Sequence, residues 1–302
     1  MKPQFDNKVM SSFYLWFDHT LTRKGEAFVN HSGFFYPVDT YHNGYYTYAS
    51  AFRPLVADKS IPNATIMSGV YVDSGDGLKF AATGENDGVN DYGFSGINYD
   101  QGELYFTRDI SSGSYSGISG DFAIKEFSIH LTDESDEDLL VETKFHRKPR
   151  IQESITGLAK DTVTYPAIFI RNDGSHNDPL SFGGVDQTTI DIRAIIFAES
   201  QFQLDATCSL LRDTRYETVP LMSEANMPFN GFGDFRNGEK YDYRNFATGQ
   251  NHPGSGQFYV EDVIVRRFPR RMMERSAIVD LNPDIYFAVA DFELTQIRRP
   301  RT

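Results

Sequence analysis

The chain has 302 residues, of which 24% are charged and 40% hydrophobic, a globular composition that excludes wholesale disorder. Its net charge of −13 repels phosphate, so wrapping of nucleic acid is disfavoured, although an acidic surface can line a channel through which DNA passes without sticking. The single cysteine, Cys208, excludes an intrachain disulfide, and no stretch approaches the roughly 18 continuous apolar residues of a membrane span.

The compositional skew lies in the aromatics: 25 Phe and 17 Tyr against one Trp. Such side chains favour half-buried pleated surfaces and also gather at subunit interfaces. The chain opens Met-Lys-Pro-Gln-Phe-Asp with no apolar run to follow, so no signal peptide is expected.

Residues 1–60 hold a dense aromatic segment with Phe13, Tyr14, Trp16, Phe17, Phe28, Phe34, Phe35 and Tyr36, then Tyr41, Tyr45, Tyr46 and Tyr48. Asn43-Gly44 between Tyr41 and Tyr45 predicts a two-residue hairpin turn. The segment reads as an extended arm plus hairpin, its aromatics buried against the chain's own core or a neighbour. Residues 61–138 alternate Gly/Ser/Asp/Asn loops with short strands expected at Gly69–Val72, Leu78–Ala81, Leu104–Arg108 and Phe122–Leu131. That spacing suggests a sandwich or jelly-roll-like unit.

Residues 139–302 form a third region. Strands are expected at Leu140–Phe145, Tyr165–Arg171 and Thr189–Glu199, followed by a helix over Gln201–Thr214. In that helix Phe202, Ala206 and Leu210 line up as the buried face, with Leu204, Cys208 and Leu211 beside them. Thr218–Met222 returns toward the sheet, and 223–254 reads as loop. Strong strands close the chain at Gln257–Phe268 and Ile285–Arg298, the latter alternating Phe292 and Leu294 against Asp291, Glu293 and Thr295. No long helix and no internal repeat is evident. The fold class is β-rich α+β: antiparallel, sandwich or jelly-roll-like sheets, one short α+β unit and long irregular loops. The three regions can equally be one continuous domain.

The chemistry-bearing patterns are weak. Asp73/Asp76, Asp87/Asn90/Asp91 and Asp173/Asn177/Asp178 cluster oxygen ligands with glycine, but none completes a calcium loop, and tight turns demand the same residues. The seven histidines are scattered, and one cysteine cannot complete a zinc set. Gly113-Ser-Tyr-Ser-Gly117 places Tyr115, not serine, at the centre of a nucleophile elbow, and there is no phosphate loop. No catalytic, cofactor-binding or metal-ligating residue is assigned.

Several stretches resemble a family of structural proteins in tailed bacteriophage particles with contractile tails, of the marine and cyanobacterial type. They are Trp16-Phe17-Asp18 with Lys24-Gly25; Tyr45-Tyr-Thr-Tyr-Ala-Ser50 with Ile66-Met-Ser-Gly-Val-Tyr71; and Leu131-Thr-Asp-Glu-Ser-Asp-Glu-Asp-Leu139. Further along come Tyr165-Pro-Ala-Ile-Phe-Ile170, Phe182-Gly-Gly184, Ile192-Arg-Ala-Ile-Ile-Phe-Ala-Glu199, Pro228-Phe-Asn230, Asp291-Phe-Glu-Leu294 and Arg299-Pro-Arg301. They run in order along nearly the whole chain, and none is a functional signature. The resemblance implies a non-enzymatic virion component, made in the host bacterial cytoplasm and built into the particle.

By fold-level analogy the Tyr165–Met222 pattern looks like the small α+β unit of ring-forming proteins at the head–tail junction or tail end. The expected partners are copies of itself in a ring, with six subunits the expected number, and other head–tail junction or tail proteins; DNA at most passes through an acidic channel. The alternative is a baseplate or tail-tip protein that binds host glycan through Tyr- and Phe-rich loops. Residues 260–302 carry eight Arg against seven acids, a basic tail on an acidic body. Inter-subunit contacts are therefore expected at Phe13, Trp16, Phe17, Tyr45, Tyr46 and Tyr48. They are expected also at Arg266, Arg267, Arg270, Arg271, Arg298, Arg299 and Arg301, facing an acidic surface on an adjacent subunit.

Overall fold

A computed structural model describes residues 5–42, 44–73, 78–82, 93–110, 117–131, 164–181, 184–222, 240–248, 256–268 and 286–298. The protein is a β-rich α+β chain of antiparallel sheets with few helices, as its patterning predicts. It divides into two compact units. Unit 1 comprises 1–25, 127–225 and 246–302; unit 2 comprises 26–126 and 226–245. The boundaries thus fall at 25/26, 126/127, 225/226 and 245/246 rather than at 60 and 138, because residues 1–25 fold with the later part of the chain.

In unit 1 the aromatic N-terminal segment is a 20-residue helix, α1 (Phe5–Lys24), and not an extended arm. Val9, Phe13, Trp16, Phe17, Thr20 and Leu21 recur at the three- and four-residue spacing of one helical face, and all are buried. Asp6 in the first turn and Arg23 and Lys24 in the last complement the helix dipole. Gly25 ends it: its N–H reaches the Leu21 carbonyl at 3.0 Å, and a Cβ there would lie 2.6 Å from that oxygen. This helix also overturns the expectation that no long helix exists.

The six-stranded sheet of unit 1 has the order β11-β12-β13-β10-β9-β8. Its strands are β8 (Ser128–Leu131), β9 (Ala167–Ser181), β10 (Val185–Ala198), β11 (Thr218–Pro220), β12 (Gln257–Phe268) and β13 (Tyr286–Arg298). All pairs are antiparallel except β8–β9. Helix α2 (Gln201–Arg212) follows β10 directly, started by the N-cap Ser200, whose hydroxyl accepts from the Gln203 N–H at 3.2 Å. It packs on β13, β12 and β10, while α1 packs on β11, β8 and β9.

The buried stripe of α2 is Leu204, Thr207, Cys208 and Leu211; Phe202 and Ala206 point to solvent, so the flank expected from the sequence is the true core face. Phe13, Trp16 and Phe17 surround Phe292 of β13, with ring centroids 5.2, 6.4 and 5.9 Å away. Each fully buried aromatic of this kind contributes about 1.5–3 kcal/mol through burial.

Unit 2 is a seven-stranded antiparallel sheet of order β4-β3-β7-β1-β2-β6-β5, nearly closed and barrel-like. Its strands are β1 (Phe28–His42), β2 (Tyr45–Ser50), β3 (Gly69–Asp73), β4 (Leu78–Ala82), β5 (Phe94–Asn98), β6 (Glu103–Phe106) and β7 (Gly117–Lys125). His42 pairs with Tyr45, and Gly44 has φ +92°, the left-handed geometry that the two-residue turn requires. Phe35, Tyr48, Val70, Val72, Leu104, Phe106, Ile118 and Phe122 form the inner core. A satellite cluster of Val56, Ile61 and Ala123 holds the connection after β2.

Asp58 fastens a distant piece of chain to this unit. Its buried carboxylate accepts from the Ser60 N–H (2.9 Å), the Ser60 hydroxyl (2.8 Å) and the Tyr243 N–H (3.0 Å). Tyr243 opens the six-residue helix α3 (Tyr243–Thr248).

Candidate functional surfaces

Strand register carries the chemistry of unit 1, because residues paired across antiparallel strands share a face. On the face away from α2 a row crosses three strands as Arg171 (β9), Arg193 (β10) and Asp291 (β13). Asp291 accepts from Arg193 Nε at 2.7 Å and, diagonally, from an Arg266 guanidinium N–H of β12 at 2.8 Å. Asp173 sits 3.0 Å from the Arg193 guanidinium and 3.8 Å from that of Arg171. A bulge makes this possible. Asn172 pairs with Ile192 and Gly174 with Asp191, so Asp173 is the extra residue and is re-aimed toward the arginines.

One step along, three carboxylates stand directly across from one another: Asp191 (β10), Glu293 (β13) and Asp262 (β12). A second bulge, at Glu261, adds a fourth acid beside them, since Val260 pairs with Leu294 and Asp262 with Glu293. Partial desolvation, then Glu261, Asp191 and Asp262, push the Glu293 carboxyl above its ordinary range. Between the rows lies a depression of about 270 Å³ lined by Asp173, Asp191, Arg193, Asp262, Asp291 and Glu293. Its chemistry is that of a surface that accepts cationic groups; no serine, cysteine or histidine is among the residues that line it.

In unit 2 the outward face has the opposite character. Phe34 (β1) and Tyr71 (β3) both pair with Ser119 (β7), and Tyr71 pairs with Phe80 (β4), so one row reads Phe34–Ser119–Tyr71–Phe80. The Tyr71 and Phe80 rings are 5.2 Å apart. In the next row Asp73 stands between Gly117 and Leu78, and Tyr36 follows Phe34 on the same face of β1. Phe34, Tyr36 and Leu78 are largely exposed and Phe80 about half.

The expected interface residues separate into three groups. Phe13, Trp16 and Phe17 are core residues of their own chain and are withdrawn from the surface, because a helix folds their stripe onto β13. Tyr48 is buried as well, edge-on to Phe106 at 5.3 Å, with its oxygen accepting from the Ile110 N–H at 2.9 Å. Tyr46 is partly exposed and Tyr45 half-buried.

Three of the arginines engage groups of their own chain. Arg266 pairs with Asp291, and Arg267, on the opposite face, lies 3.2 Å from Asp205 of α2. Arg298 donates to the Thr188 hydroxyl at 2.7 Å and stacks 3.6 Å over the Phe5 ring. Asp291 on the neighbouring strand and Asp205 on α2 stand within reach of Arg266 and Arg267. Arg270, Arg271, Arg299 and Arg301 lie outside the described residues.

Of the calcium candidates, Asp173, Asn177 and Asp178 are strand residues with protein partners, since Asn177 accepts from the Thr188 hydroxyl at 2.6 Å. Among the described residues no group of three or more His, Cys, Asp or Glu is placed to hold a metal ion. Asp76, Asp87, Asn90, Asp91 and Tyr115 lie outside the described residues. No helix among the described residues is long and apolar enough to cross a membrane. No family model and no curated protein matches the chain.

Proposed function

We propose that this chain is a non-enzymatic structural subunit of a tailed-phage particle, assembled with copies of itself into a ring at the head–tail junction. The observation that supports it best is the outward face of the unit 2 sheet, where Phe34, Tyr36, Tyr71, Leu78 and Phe80 meet solvent together. Apolar patches of this kind on a folded chain mark contacts with other proteins. The ordered resemblance to virion proteins supplies the setting, and a net charge of −13 suits a wall past which DNA slides.

Head-to-tail contacts that close by rotation give a ring. Mass spectrometry of purified particles, followed by cryo-microscopy of the neck, tests the reading: the chain is expected in the particle as a closed ring at the head–tail junction. Absence from the particle, or a position at the baseplate with bound glycan, overturns it.

A further inference from the structure

We infer that the apolar outward face of the seven-stranded sheet is a trough that packs against a second copy of this chain. The choice of a second copy as occupant rests on the homo-oligomeric reading above. Strand β7 turns the small residues Gly117 and Ser119 outward, between the aromatic residues of its two neighbours. They form a floor. Aromatic walls rise on either side, from Phe34 and Tyr36 on β1 and from Tyr71 and Phe80 on β3 and β4. The Phe34 ring leans over the floor, within 3.7 Å of where a Cβ on Gly117 would stand.

The exposure is large enough to matter. Phe34 is 62% exposed, Tyr36 59%, Tyr71 38%, Phe80 43% and Leu78 66%. At ~150–250 Å² for a whole aromatic side chain, these five leave about 500 Å² of mostly apolar surface in water. A copy that covers it and gives up a like area removes roughly 1,000 Å² in total, the level that a specific interface must clear. Its anatomy also fits: an aromatic centre, with Asp73 and the hydrogen-bonded Ser32–Asp121 pair at the rim. The charges flanking the described trough are carboxylates, so a phosphate backbone is repelled from it.

The contact is testable on the full chain by sedimentation velocity across a hundredfold range of protein concentration. The parent is expected to associate, and the double variant Phe34→Ser/Phe80→Ser to weaken association by about tenfold or more, as loss of anchor aromatics does. Both positions are exposed, so the melting temperature should hold. Phe202→Ser removes a more exposed phenylalanine on another surface and should leave association unchanged.

A second measurement does not depend on the double variant folding. Ser119→Cys puts a thiol on the trough floor, while the native Cys208 is buried. Maleimide should label residue 119 readily in dilute protein and slowly in associated protein, and the label should block association. The inference is overturned if the parent stays monomeric throughout or if the double variant associates as the parent does. It is overturned equally if labelling is indifferent to concentration, or if a monomeric parent binds a polysaccharide through Phe34 and Phe80. Presence in the particle is scored separately: a virion protein that ignores these changes sinks the trough alone, and a self-associating chain absent from particles sinks the virion reading alone.

Discussion

The two sheets turn opposite chemistries outward. On unit 1 the face away from α2 carries Arg171, Arg193 and Arg266 in ion pairs with Asp173 and Asp291, beside the acid row of Asp191, Glu293 and Asp262. On unit 2 the outward face carries Phe34, Tyr36, Tyr71 and Phe80, which leave apolar area in water. Charges already paired within the chain gain little from a partner, because their interactions are made and further burial costs desolvation. An apolar face gains in proportion to the area removed from water. On the reading proposed above, the apolar sheet and not the charged one supplies the free energy of association.

The largest expected effect separates buried aromatics from exposed ones. Phe13→Ala removes a ring lodged between Trp16, Phe17 and Phe292 and should cost about 3–5 kcal/mol in denaturant unfolding. Phe34→Ala, on the open face of unit 2, should stay within about 0.5 kcal/mol of the parent. Equal losses at the two positions would show that the unit 2 face is covered within the monomer, and the contrast between the sheets would collapse.

Next comes the polar anchor of unit 2. Asp58→Ala leaves the Ser60 and Tyr243 N–H groups without the acceptor they share and should cost about 3 kcal/mol. Asp58→Asn keeps a carbonyl oxygen at that place and should lose roughly half as much. Hydrogen exchange at the Tyr243 amide checks the assignment, since the Ala variant should lose its protection.

Much of this fold is legible in the sequence where one period dominates. β12 and β13 come out within a residue of their expected limits because Phe292 and Leu294 alternate cleanly with Asp291, Glu293 and Thr295. Helix α1 escapes that reading. It is buried on most sides from Leu15 to Thr22, so its aromatics look as dense as a strand's, and only the spacing Val9, Phe13, Trp16, Phe17, Thr20, Leu21 betrays it.

The face of α2 could not be chosen from sequence, since Phe202/Ala206/Leu210 and Leu204/Cys208/Leu211 are both helical stripes and contact with β10, β12 and β13 decides between them. Both candidate surfaces were hidden for the same reason. The acid row and its arginine neighbours exist only after register and the bulges at Asp173 and Glu261 are set, the trough only after the register of β1, β3, β4 and β7 is, and neither follows from local composition.

A smaller effect probes whether the charged face is self-sufficient. Asp291→Asn keeps the shape but removes the charge shared by Arg193 and Arg266, and should cost about 1 kcal/mol, since the pairs are partly exposed. The gap between parent and variant should narrow as salt rises. A gap indifferent to salt would assign the cost to hydrogen-bond geometry instead.

The smallest effect concerns Glu293 and is a gain. Desolvation comes first, and with Glu261, Asp191 and Asp262 it raises the Glu293 carboxyl above its unfolded range, so at intermediate pH the folded chain binds more proton than the unfolded one. Stability attached to this group is therefore complete below the unfolded carboxylate range and is lost as pH climbs through the raised folded value. Glu293→Gln removes that loss. It should be more stable than the parent by about a few tenths of a kcal/mol at neutral pH, the scale of one cross-strand pair, and the advantage should vanish in acid. Urea unfolding of both chains across the acid-to-neutral range reads the sign directly. A Gln variant that is the less stable at neutral pH would mean that a group of the protein neutralises Glu293, as Arg215 does Asp262 at 3.4 Å.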